Sequence, residues 1–193
     1  EAELERRRYY NSRSSNYDVY PHLFSVARKL CTDPEFQKVL DMDRHYFTGV
    51  ALRLKLVLPN QPASLADEAI AEELKALAFD NHAAYVYNEL GSLYWYKNNL
   101  KLAEDNYLKA VENAPQWAIP WANLCGLYAH AKKYGAAMAA GRMADSLQAD
   151  LHSTVTQLGM AYEGQNDLLT AEEYYRHAIS LNQRHYLPFE RLG

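Results

Sequence analysis

From residue 84 onward this chain is written in a period of 34 residues. Tyr87, Leu90, Gly91, Tyr94, Ala103, Tyr107, Ala110 and Pro115 return one period later as Trp121, Leu124, Cys125, Tyr128, Ala137, Gly141, Ala144 and Ala149. A third copy reads Val155, Leu158, Gly159, Tyr162, Ala171, Tyr175, Ala178 and Gln183. A unit of this length is one helix pair that cannot bury its apolar face alone, so successive pairs must stack on one another. The apolar spacing inside each unit predicts helices over 84–97 with 100–113, 118–131 with 134–147, and 152–165 with 168–181. The fold class is therefore all-α, a solenoid of antiparallel helix pairs.

Breaks between these helices have local chemical causes. Asn98-Asn99, Lys132-Lys133 and Asn166-Asp167 fall at the turns, and Asn and Asp there tolerate left-handed backbone and compete for backbone hydrogen bonds. Pro115 ends its helix, whereas Pro120 and Pro188 fit the first turn of an incoming helix, where no amide donor is needed. The phase divides the chain into units at 84–117, 118–151 and 152–185, and starts a further, truncated unit over 186–193. The chain opens at Glu1 without Met and ends inside that unit, which reads as a fragment; Tyr186, Phe189 and Leu192 would then form an uncovered edge able to self-associate.

Upstream, Ala69 and Ala76 precede Ala103 and Ala110 by one period, which places a second helix near 65–79. The string His45 to Leu52, with Gly49 in the small-residue position, resembles a first helix but arrives eight residues early. The surplus falls where Pro59 and Pro62 flank Asn60 and Gln61, an obvious loop. Residues 42–83 thus read as a degenerate unit with an enlarged loop. Residues 1–41 lack the phase but carry helical spacing at Leu23, Val26, Ala27 and Leu30, and a second helix start at Asp33-Pro34-Glu35 followed by Phe36, Val39 and Leu40; they read as a helical cap.

Composition narrows the function classes. Across 193 residues, 49% hydrophobic and 23% charged content describes an ordinary globular chain. A net charge of −4 supplies no basic field for nucleic acid. No apolar run approaches the ~20 residues that cross a bilayer, and no basic-then-apolar leader is visible, which favours a soluble, cytoplasmic protein. The seven histidines form no H-E-x-x-H pair, the two cysteines stand at no zinc spacing, and no phosphate-cradling glycine cluster or G-x-S-x-G elbow occurs. No catalytic residue, metal site or cofactor is expected. Cys125 occupies the position of Gly91 and Gly159 and reads as a buried small hydrophobe; no spacing argument pairs it with Cys31. Gly141 stands where its equivalents are aromatic, so either Trp117 or Trp121 fills the volume or the second unit is a soft joint.

The first copy resembles the tetratricopeptide repeat (TPR) family: Tyr87, Leu90, Gly91, Tyr94, Ala103, Tyr107 and Pro115 follow its W-x2-L-G-x2-Y, A-x3-F, P pattern, with Tyr in place of Trp and of Phe. The resemblance implies a right-handed superhelix whose first helices line a concave, peptide-binding surface. Here that surface would carry Tyr85, Asn88, Ser92, Trp95 and Tyr96, then Ile119, Ala122, Asn123, Gly126 and His130, then Ser153, Thr156, Gln157 and Met160. Tyr87, Tyr94, Tyr107, Tyr128, Tyr162 and Tyr175 fall on packing positions and read as core. Family members that grip a chaperone's C-terminal carboxylate use Lys, Asn, Asn, Lys and Arg; the matching positions hold Asn88, Ser92, Asn123, Ser153 and Gln157, only one of which fits. The implied function is a non-catalytic scaffold binding a peptide or helical segment of a protein partner. An accessory region of a larger enzyme or signalling protein, and a peptide-signal sensor, are the alternatives.

Overall fold

Small residues set against large ones hold this array together. The computed structural model describes residues 33–148 and 152–181, and among them there are eight helices and no strand. These are α1 (Pro34–Lys55), α2 (Ser64–Leu77), α3 (Ala84–Tyr96), α4 (Leu100–Asn113), α5 (Ala118–His130), α6 (Tyr134–Leu147), α7 (His152–Gly164) and α8 (Leu168–Leu181). From α3 to α8 each helix begins at the residue given by the 34-residue phase. The expected edge residues Tyr186, Phe189 and Leu192, together with Cys31 and the segment 1–32, lie outside the described residues.

The chain divides into two units at Asp41/Met42; of the first, only residues 33–41 are described, as the start of α1. The two helical stretches expected around Asp33-Pro34-Glu35 and His45 to Leu52 are in fact one continuous helix, α1. Its start is capped by Asp33, whose carboxylate accepts from the Glu35 amide at 2.9 Å. No Gly, Pro or Asn lies between Phe36 and Thr48 to interrupt it. α2 falls where Ala69 and Ala76 place it, after a connection that contains Asn60 at φ 61°.

The turns inside the three downstream pairs repeat as faithfully as the helices. Asn98, Lys132 and Asn166 take φ of 58°, 58° and 65°, and the next residue's amide donates back to the carbonyl of Tyr94, Tyr128 or Tyr162 at 2.8, 2.8 and 3.0 Å. Asn99 and Asp167 then cap the following helices through their side chains, accepting from Leu102 and Thr170. The middle turn spells Lys132-Lys133, and Lys133 supplies no side-chain cap. It instead reaches Glu104 at 3.3 Å and lies over the Tyr128 ring.

Within each pair a helix–helix contact is made by one small and one bulky residue. A Cβ on Gly91 would lie 2.5 Å from the Tyr107 ring, and one on Gly159 would lie 2.7 Å from the Tyr175 ring, so only glycine admits these tyrosines. Both tyrosines are buried. The pair α5/α6 exchanges the sizes: Cys125 takes the glycine position and Gly141 the tyrosine position. The missing ring is replaced from the next repeat, because Leu158 of α7 packs over Gly141, 2.5 Å from where a Cβ would sit, with the Cys125 sulfur 3.0 Å away. Neither Trp117 nor Trp121 is needed for this; the Trp121 indole turns to donate to the Pro115 carbonyl at 3.1 Å. Cys125 is fully buried, and burial pushes its thiol pKa up to about 12, which keeps it an inert packing group. In the first pair Gly49 again holds the small position, but the bulky position is Glu73.

Packing against Gly141 and open space at Gly135 lie in the same helix and give opposite expectations. Gly141→Ala should destabilise the chain by about 1–3 kcal/mol, since the new methyl meets Leu158. Gly135→Ala, which meets nothing within 4 Å, should stabilise it by up to about 1 kcal/mol through helix propensity alone. Urea denaturation of the two variants checks both signs.

Candidate functional site

The array presents a continuous face because successive first helices lie close together. α3 approaches α5, and α5 approaches α7, whereas α4, α6 and α8 make no comparable approach to one another among the described residues. The first helices α3, α5 and α7 thus share one face, the one expected from the sequence to meet a partner.

Two small constellations cross that face. Asn123 of α5 donates its side-chain amide to the Asn88 carbonyl oxygen on α3 at 2.8 Å. Asn88 is only 5% exposed, so this bond satisfies a group that water barely reaches. Next to it, Ser92 donates to the Asn88 backbone carbonyl at 3.2 Å and meets the buried Tyr107 hydroxyl at 3.1 Å. Ser92 thus ties the face to the core beneath it rather than standing free for a ligand. The second constellation forms over Gly126. A Cβ there would meet the Trp95 ring tip and the Gln157 amide carbon, each at 3.0 Å, so the missing side chain lets α3 and α7 bring Trp95 and Gln157 together across α5. His130, exposed at the end of α5, sets its ring 6.3 Å from that of Trp95 at 54°.

The remaining expected residues fall elsewhere. Tyr85 is half-buried against α1, edge-on to Tyr46 at 4.7 Å, with its hydroxyl 3.8 Å from the Met42 sulfur. Burial raises its pKa, with the charge of Asp43 adding to the effect. It packs with the first core more than it lines the face. Tyr96 is 58% exposed at the end of α3. Of the tyrosines read as core, Tyr107 and Tyr175 are buried, while Tyr87, Tyr94, Tyr128 and Tyr162 are half-buried. Tyr87 and Tyr128 carry their hydroxyls outward to the Asn81 carbonyl and to Glu104, at 3.0 and 2.9 Å.

One feature of the face escapes motif reading. Glu89 of α3 makes a two-pronged ion pair with Arg53 of α1, its second bond 3.4 Å long. The register supplies the signal, since Glu89, Asn123 and Gln157 are spaced by 34 residues and occupy one position on three successive first helices. That position runs from acidic to neutral along the array. Among the described residues no group of three or more His, Cys, Asp or Glu side chains converges on a common point, and no helix is long and apolar enough to cross a membrane.

Known proteins give this chain a frame at this point. The tetratricopeptide repeat model matches residues 84–116 and 153–185. No curated protein sequence matches it. Among solved structures, the first TPR of Spaghetti (RPAP3) bound to the HSP90 peptide SRMEEVD is 22% identical, covering 58% of this chain and 90% of its own, with a TM-score of 0.55. PilF of Pseudomonas aeruginosa is 19% identical over 81% of this chain and 68% of its own, with a TM-score of 0.71. A MamA crystal structure is 20% identical over 82% and 85%, with a TM-score of 0.61. At these identities the likeness is one of fold.

The bond between the two asparagines yields an expected outcome. Asn123→Ala leaves the Asn88 oxygen without its partner on a face that admits little water, and should cost about 1–3 kcal/mol. Gln157→Ala, which removes no bond of this kind, should change stability by less than half as much; thermal denaturation of both variants separates them.

Proposed function

As a member of the tetratricopeptide repeat family the chain is built of stacked helix pairs, and we propose that it is a non-catalytic protein-interaction scaffold that binds a peptide or helical segment along the face of α3, α5 and α7. The observation that carries this reading is the meeting of Trp95, Gln157 and His130 above Gly126, contributed by three successive first helices. Such a platform offers a rigid aromatic surface beside an amide, the combination that anchors a peptide at low entropic cost. The half-buried Asn123 spends one amide hydrogen on Asn88 and keeps its own carbonyl oxygen to accept from a peptide N–H.

The charge of the face indicates what kind of peptide fits. The structure of the Spaghetti repeat holds the HSP90 peptide SRMEEVD, which carries acidic residues; the positions here that match the family's carboxylate clamp are Asn88, Ser92, Asn123, Ser153 and Gln157, and Arg53, a cation beside them, is occupied by Glu89. A desolvated terminal carboxylate would find no free charge partner among them. The segment proposed is therefore an internal, neutral one, gripped by backbone bonds and by one aliphatic or aromatic side chain against Trp95. Cys125 and Tyr107, whose pKa values are raised by burial, act in this reading as packing groups and not as reactive ones.

Selection of a displayed random peptide library on the chain tests the reading. Peptides enriched on it should lose at least about tenfold in affinity to a Trp95→Ala, Gln157→Ala variant, which corresponds to ~1.4 kcal/mol, and should quench or shift Trp95 fluorescence on binding. They should bind undiminished to Lys101→Ala on exposed α4. Enrichment of peptides indifferent to the Trp95 and Gln157 substitutions would place recognition on another surface.

A further inference from the structure

Among the described residues, Glu73 is the one buried carboxyl, and its chemistry opposes its position. It lies one period before Tyr107, in the slot that receives the aromatic ring in α4 and α8, and its side chain packs onto Gly49 as those tyrosines pack onto Gly91 and Gly159. It is 0% exposed, and neither carboxyl oxygen has a hydrogen-bond partner among the described residues. The cation that could neutralise it, Arg53, is committed to Glu89. From α2 itself Glu72 faces the same region, but it is held by His45 and Lys75, each at 2.6 Å. Tyr46 of α1 and Tyr85 of α3 lie near enough to feel its charge, beside Arg53 and Glu89, and neither tyrosine donates to Glu73. A carboxylate in such a place would be unpaired and next to a second carboxylate, a state costing several kcal/mol, so the group is held as the neutral acid.

The helix that covers Glu73 is α1, and the two meet at a glycine. There α1 comes as close to α2 as α3 does to α4: a Cβ on Gly49 would lie 2.9 Å from the Glu73 Cγ, and one on Gly91 would lie 2.9 Å from the Tyr107 Cγ. Met42 and Leu56 bury themselves in the first core, and between them α1 meets α2 through Gly49 on Glu73 and through the His45–Glu72 pair.

We propose that Glu73 is a proton-operated latch: while it carries its proton, α1 from Met42 to Lys55 stays closed over α2 and α3, and loss of the proton releases α1 and uncovers α2 and α3 without melting the pairs downstream. The direction follows from linkage. Burial, reinforced by the charge of Glu89, raises the Glu73 pKa from 4.5 to about 9. A group with a raised value in the closed form keeps its full stabilising effect below the ordinary carboxyl range, loses it progressively as pH rises, and has lost it all once pH passes about 9. One proton released per opening makes the open population grow about tenfold per pH unit across that window. At neutral pH the latch is closed but already weakened.

Hydrogen exchange of the full chain, read as protection factors at pH 6, 7 and 8, tests this. Peptides from residues 42–55 and 64–77 should lose protection by about tenfold per pH unit, while peptides from α5 to α8 keep theirs. Glu73→Gln and Glu73→Tyr, the second restoring the residue used in the other slots, should each remove the pH dependence. Constant protection of α1 in the unmodified chain, or the same slope in a folded Glu73→Gln variant, would overturn the proposal. Should neither variant fold, carboxyl 13C titration of the unmodified chain decides: one glutamate titrating near pH 9 is expected, and a full set of glutamates titrating below about pH 6 contradicts it.

Discussion

Everything in this fold depends on how closely two helices of a pair can approach, and that is set by one glycine-sized position facing one large side chain. Gly91 and Gly159 admit the rings of Tyr107 and Tyr175 into spaces where a single methyl would not fit. The buried ring in turn fixes the spacing of the pair, and the hydroxyl of Tyr107 reaches through to Ser92 on the facing helix. Because interiors are packed near the density of crystals, such a contact permits few alternatives. The second pair shows the one alternative the chain uses: Cys125 and Gly141 exchange sizes, and Leu158 from the next pair supplies the lost volume. The coupling between neighbours is strengthened by this exchange, since α6 now owes its packing to α7.

Much of the architecture is legible in the letters because the same physical problem is solved three times in succession. The left-handed turn residues Asn98, Lys132 and Asn166 and the helix starts of α3 to α8 recur at the period, so each copy corroborates the others. Where the solution is not repeated, the letters say less. Phe36 to Thr48 contains no helix breaker, yet two separate helical patterns suggest two helices; the unbroken backbone of α1 decides the matter. The partner of Gly141 could not be read from its own repeat, since it comes from the next one. Glu73 is hidden for a similar reason: a glutamate on an amphipathic helix ordinarily faces water, and only its register with Tyr107 shows that it faces inward.

The expected binding face is legible in part. Asn88, Asn123, Trp95, His130 and Gln157 are brought to α3, α5 and α7 as the spacing implies, but Tyr85 is claimed by Tyr46 and Met42, and Ser92 by Tyr107. Periodicity tells which residues point to one side of a helix. It does not tell which of them have already been satisfied by a neighbour, because that depends on side chains outside the repeat, here those of α1. The same helix supplies Arg53, which neutralises Glu89 and leaves the face without a free cation at that position. What remains open to a partner is an aromatic and amide surface, and this is the basis for proposing a neutral internal segment in place of an acidic tail.

The claim that small-against-large contacts govern each pair is tested most directly by a double-mutant cycle at Gly91 and Tyr107, with urea denaturation of Gly91→Ala, Tyr107→Leu and the combined variant. If the added methyl is harmful because it meets the ring, Gly91→Ala should be far less damaging once Tyr107 has been shortened, giving a coupling of about 1–3 kcal/mol. Losses that simply add, within about 0.5 kcal/mol, would show that the two positions act independently and would contradict the account.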